Sequence, residues 1–142
     1  MKRGASAQWN GDLKTGKGSI NLDSGALKGT AYSFTTRFEE GVTGTNPEEL
    51  VAGAHAACFS MAFSAQLSNA GLTVESVKTK ATLTMEKLEA GWTITEIHLD
   101  CVGKVPGADQ AKFDELAEKA KAGCPISRLL NAKITLTKTL EK

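Results

Sequence analysis

Cysteine occurs three times in this 142-residue chain, at positions 58, 101 and 124, and each sits in a different local context. Cys58 lies midway along an apolar run. No helix end is near enough to assist it there, and burial favours the neutral thiol. Left alone it reads as an inert core residue; to act as a nucleophile it needs a cation brought from elsewhere. Arginine is available only at positions 3, 37 and 128. Cys124 stands in a Gly-Cys-Pro step between two helical patterns. Backbone N–H groups and the dipole at a helix start favour an ionised sulfur, although the same step also serves as simple punctuation. Cys101 shares the apolar side of a strand pattern with Ile97 and Leu99, which suits a small core hydrophobe. His55, one turn before Cys58, reads as a packed core histidine more readily than as a base. Glu48 reads as a favourable charge in a first helical turn.

The element that must position Cys58 is the stretch 46–71, NPEELVAGAHAACFSMAFSAQLSNAG. Asn46 suits an N-cap, Pro47 the first helical position and Glu49 the third position of a capping box. Gly71 can close the helix in a left-handed C-cap. Its interior has almost no polar face, and a helix apolar all round must be surrounded by protein. At about 1.5 Å per residue it spans about 36 Å, near the diameter of a small domain. A second copy of the same helix would supply cover that so few strands cannot, which predicts a homodimer.

Around this helix the pattern alternates. Ala5, Ala7 and Trp9, then Ile20 and Leu22, then Tyr32, Phe34, Thr36 and Phe38 predict three short strands. The third would place Arg37 on the side opposite Phe38. Val77, Thr79, Ala81, Leu83 and Met85 share one face of a longer strand. Thr95, Ile97, Leu99 and Cys101 share a face of its partner, across a turn at 88–91. Residues 109–122 return to helical spacing through Phe113, Leu116, Ala117 and Ala120, a short helix follows Cys124-Pro125, and Ala132, Ile134 and Leu136 mark a last strand. The order βββ-α-ββ-α-α-β predicts an α+β fold with antiparallel sheet, in one domain over 1–142.

Composition narrows the function. A net charge of +1 without a basic block argues against nucleic acid or an anionic membrane as partner. The apolar run contains Glu, His, Ser, Gln and Asn, which argues against a membrane span. The first residues lack the apolar core of a secretory signal, and an odd number of scattered cysteines makes no secreted disulfide scaffold. Reduced thiols in the cytoplasm are expected. A metal site from His55, Cys58, Cys101 and Cys124 lacks ligand spacing, so neither metal nor cofactor is expected. A dimeric, non-enzymatic binder of an apolar ligand is the alternative to an enzyme, and it predicts no activated thiol.

The segments TNPEELVAGAHAACFSMAF around Cys58 and KAGCPISRLL around Cys124 resemble the family of osmotically inducible protein C (OsmC) and the organic hydroperoxide resistance proteins. QWNGDLKTGKGSI and YSFTTRFEEGVTGTNPEEL bring the chain nearest the OsmC branch. The resemblance implies antiparallel sheets wrapped around a long buried central helix in an intertwined homodimer. It also implies a cysteine-based peroxidase that reduces organic hydroperoxides, with Cys58 peroxidatic and Cys124 resolving through a Cys58–Cys124 disulfide. A dithiol, such as a lipoyl-bearing protein, recycles that disulfide. An arginine paired with Glu48 activates the thiol, and both subunits contribute to each site. The role falls to Arg37, within the Phe-x-Thr-Arg-Phe segment, with Arg3 as the weaker candidate. Phe34, Phe59, Met61 and Ala62 are candidates for an apolar wall beside the thiol.

Overall fold

A computed structural model describes all residues, Met1–Lys142. The chain forms two compact units, Met1–Leu50 and Val51–Lys142. In the first, β1 (Ala5–Asn10), β2 (Lys17–Leu22) and β3 (Thr30–Tyr32) make an antiparallel sheet in the order β1-β2-β3. Gly18 lies under the Tyr32 ring, where a Cβ would come within 2.3 Å of it. Trp9 packs on the same ring at 5.5 Å between centroids.

The third strand stops at Tyr32, short of the predicted Phe38. Residues Phe34–Phe38 form instead a short helix, α1. Ser33 caps it: its hydroxyl accepts from the Thr36 N–H, and the Thr36 hydroxyl accepts from the Ser33 N–H at 2.8 Å. This reciprocal pair is a capping box with threonine in the third position, and it overrides the alternation of Tyr32, Phe34, Thr36 and Phe38. Phe34 and Phe38, four residues apart, stack at 4.8 Å.

Helix α2 (Pro47–Asn69) begins and ends on the expected residues. The Asn46 carboxamide oxygen accepts from the Glu49 N–H at 2.8 Å, and its amide group donates to Thr36 O at 3.0 Å, tying α1 to the helix start. At the other end Gly71 has φ +79°, Gly71 N–H donates to Ser68 O, and Leu72 N–H donates to Leu67 O. Those two bonds make a Schellman closure, which requires the left-handed residue. By length and composition α2 could cross a membrane, yet one stripe of it, His55, Phe59, Phe63 and Leu67, is fully buried in the second unit. The opposite stripe, Ala54, Ala57, Met61 and Ala65, is exposed in the single chain, Met61 at 77%. One chain therefore supplies only part of the cover that so apolar a helix calls for.

In the second unit β4 (Ser76–Leu88) and β5 (Gly91–Lys104) form the expected antiparallel hairpin. A bulge interrupts it: Thr84 faces Glu96 and Met85 faces Ile94, leaving Thr95 as the extra residue. Thr95 consequently turns its hydroxyl to Glu86 rather than sharing the inner face of Ile97 and Leu99, and Ile94 takes the inward place. Helices α3 (Gln110–Gly123) and α4 (Pro125–Leu129) then lead to β6 (Lys133–Glu141), which pairs with β5 in parallel. The antiparallel sheet expected here is thus mixed, because a helical crossover returns the chain to the same end of the sheet. The core joins the buried stripe of α2 to Ile97, Leu99 and Cys101 of β5 and to Phe113, Leu116 and Ala117 of α3. Phe63 meets Phe113 edge-on at 4.9 Å.

Candidate active site

The core packing of the second unit carries two sulfurs to one place. Cys58 projects from the middle of α2, half-buried. Cys124, fully buried, is both the last cap of α3 and the first of α4. Their Sγ atoms are 2.8 Å apart, within S–H···S reach, and both are free thiols. Pro125 explains the local path: it cannot extend α3 but fits the first position of α4, so the chain turns at Cys124.

Cys124 makes no side-chain capping bond with α4. The free amide of the new helix goes to the other sulfur: the Ile126 N–H bonds Cys58. The helix-end assistance expected for Cys124 therefore falls in part on Cys58, an arrangement for which the Cys-Pro-Ile step is the only sequence signal. Burial nonetheless dominates and pushes the Cys58 thiol up from its ordinary range; the neighbouring Cys124 sulfur acts in the same direction, and the Ile126 amide opposes both. Cys101 lies in the core and its thiol is likewise pushed up by burial, with a bond to Thr79 acting against that.

His55 is fully buried. Its Nε2 lies 2.7 Å from the Ser127 hydroxyl on α4, and its Nδ1 has no hydrogen-bond partner. Burial lowers its pKa, so the ring is held neutral. The sequence offered the histidine but gave no sign of the serine that meets it.

The first unit holds the charged pair. The fork of Arg37, in the last turn of α1, embraces Glu48 in the first turn of α2: Nη2 donates to Oε1 at 2.7 Å and Nε to the same oxygen at 2.9 Å, with Oε2 at 3.2 Å from Nε. The capping box of α1 and the Asn46 bridge to Thr36 fix both ends of this contact. Arg37 also lies over the Phe38 ring, 5.2 Å from its centroid. Beside it opens a cleft of about 250 Å³, walled by Trp9, Leu13, Phe34 and Phe38. Arg3 instead donates to Lys2 O. Of the wall residues expected from sequence, Phe34 lines this cleft, Phe59 is core, Ala62 packs against the core, and Met61 is exposed.

The family model described as OsmC-like protein matches residues 39–138. The chain belongs to the OsmC family. It is 52% identical over 130 residues to the peroxiredoxin OsmC of Escherichia coli K12, covering 92% of this chain and 90% of that one. It is 33% identical to the organic hydroperoxide resistance protein of Xanthomonas axonopodis pv. citri, over 70% and 69% of the two chains. Among solved structures, organic hydroperoxide resistance protein OhrB of Bacillus subtilis superposes with a TM-score of 0.68 at 25% identity, covering 97% of this chain and 98% of that one. The organic hydroperoxide resistance protein of Elizabethkingia anophelis gives 0.75 at 23%, over 99% and 97%. The α+β architecture with a long helix is thus that of the OsmC family.

Proposed function

We propose that this protein is a thiol-dependent peroxidase that reduces organic hydroperoxides to alcohols, with Cys58 and Cys124 as its redox pair. The observation that carries the reading is the 2.8 Å approach of two thiols sixty-six positions apart (124 − 58) in a member of this family. The Cys58 thiolate attacks the distal oxygen of the hydroperoxide; the O–O bond breaks, the alkoxide leaves and takes a proton as the alcohol, and Cys58 becomes a sulfenic acid. The Cys124 sulfur, having given up its proton, attacks the Cys58 sulfur. An S–S bond forms, the S–O bond breaks, and the hydroxide departs as water with that proton. A dithiol reduces the disulfide by two exchanges and is itself oxidised, restoring both thiols.

Burial alone works against the first step, so the thiolate needs a cation. Arg37 is the residue for it: a guanidinium keeps its charge throughout and is pre-organised by the bidentate Glu48 contact. The exposed stripe of Ala54, Ala57, Met61 and Ala65 supports a homodimer through α2, in which two chains complete each site. Small residues along it would let two such helices approach closely. The reading covers 1–142 as one domain acting in the cytoplasm, without nucleic-acid or membrane partner. The test is peroxide consumption with a dithiol: Cys58→Ser reduces cumene hydroperoxide at the uncatalysed rate if the reading is right, and at the parent rate if it is wrong.

A further inference from the structure

The peroxidase cycle leaves one buried polar group unused. His55 is fully enclosed, offers no charge, and spends its one side-chain hydrogen bond on Ser127, seventy-two positions away. That bond joins α2, which carries Cys58, to α4, whose cap and first turn bring the Cys124 sulfur and the Ile126 amide to Cys58. Ser127 is the third residue of α4, directly after that amide. Helix α4 is only five residues long and buries none of them fully, so packing anchors it weakly. The ring nitrogens fit the task. With the proton on Nε2 the imidazole donates to the Ser127 oxygen, and the partnerless Nδ1 carries only a lone pair, a smaller cost than a stranded N–H.

Resting on the peroxidase reading, we propose that His55 is a positioning residue: through Ser127 it holds the start of α4 against α2, so that Cys124 meets the Cys58 sulfenic acid before a second peroxide does. The competition is between disulfide closure and further oxidation to sulfinic acid, which thiols do not reverse. Cys124 must travel from 2.8 Å to a disulfide bond of about 2.05 Å, and the tether keeps that distance short.

The test follows the two steps separately after mixing reduced protein with cumene hydroperoxide. Dimedone traps the sulfenic acid, and mass spectrometry counts dimedone adduct, disulfide and sulfinic acid at Cys58 with time. In Ser127→Ala the sulfenic acid persists about tenfold longer, reflecting a lost hydrogen bond and a stranded imidazole. Its sulfinic fraction rises with peroxide dose, while the initial oxidation of Cys58 slows less than closure does. Ser127→Thr, which keeps the hydroxyl, restores closure, and so does His55→Gln, whose amide reaches the same partner. If Ser127→Ala closes its disulfide at the parent rate, even with a lowered melting temperature, His55 is only a packed core residue and the inference fails. A parent protein that oxidises no Cys58 overturns the peroxidase reading itself, a result distinguishable from the first.

Discussion

The two regions proposed to act in the peroxidase cycle are built on opposite principles. The sulfur pair is assembled by apolar packing: α2, α3 and β5 close a core that buries Cys124, and Cys58 sits at its margin, where desolvation suppresses ionisation of that thiol. The Arg37–Glu48 pair is assembled chiefly by polar contacts, through a capping box, an asparagine bridge and a forked ion pair on a part-exposed surface, with the Phe38 ring beneath the guanidinium. The first region has nucleophiles without charge, and the second has charge without a nucleophile. Under the proposed mechanism each would supply what the other lacks.

Substitutions can break or sharpen this contrast. The largest effect is expected from Cys58→Ser, which brings dithiol-coupled peroxide consumption down to background. Cys124→Ser should consume about one equivalent of peroxide in reaching the Cys58 sulfenic acid and, with peroxide in excess, about one more as Cys58 passes to sulfinic acid in the mass spectrum, and then stop. Arg37→Ala leaves the thiol to its burial. An opposite charge is worth one to three pKa units, so oxidation near neutral pH slows by roughly ten- to a thousandfold. The same change moves the midpoint of Cys58 alkylation by iodoacetamide to higher pH. Glu48→Gln keeps the cation but loosens it, and its loss should fall well short of that for Arg37→Ala. Such a series would show whether the charged region acts on the sulfur region at all.

The smallest effect concerns stability. His55 is held neutral in the fold, its pKa below the ordinary 6.5. Below pH 6.5 the unfolded chain takes up a proton that the folded chain resists, so stability is complete above that value and declines as pH falls beneath it. Melting temperature should therefore drop between pH 7 and 5, and less steeply in His55→Leu once the overall loss from that change is subtracted.

Much of this was legible from the residues. Asn46, Pro47 and Gly71 marked the ends of α2 because caps are local chemistry, and the alternation of Val77 to Met85 marked β4 because one face of it is packed on the core. The misreadings lie where local pattern met a competing interaction. Phe34 and Phe38 alternate like a strand, but the Ser33–Thr36 box makes them neighbours on a helix. Thr95 continues the alternation of Ile97 and Leu99, but a bulge ejects it. The parallel course of β6 depends on where α3 and α4 return the chain, which no residue within the strand encodes. The meeting of Cys58 with Cys124 is of the same kind, a long-range product of packing that spacing does not contain; family resemblance supplied it. The contacts of Ile126 with Cys58 and of Ser127 with His55 were invisible for that reason.

The most direct test is peptide mass spectrometry of the reduced protein before and after one equivalent of cumene hydroperoxide. The account predicts a single new linked peptide pair joining Cys58 to Cys124, with Cys101 still alkylatable after unfolding. Unchanged thiols, or a link through Cys101, would contradict it.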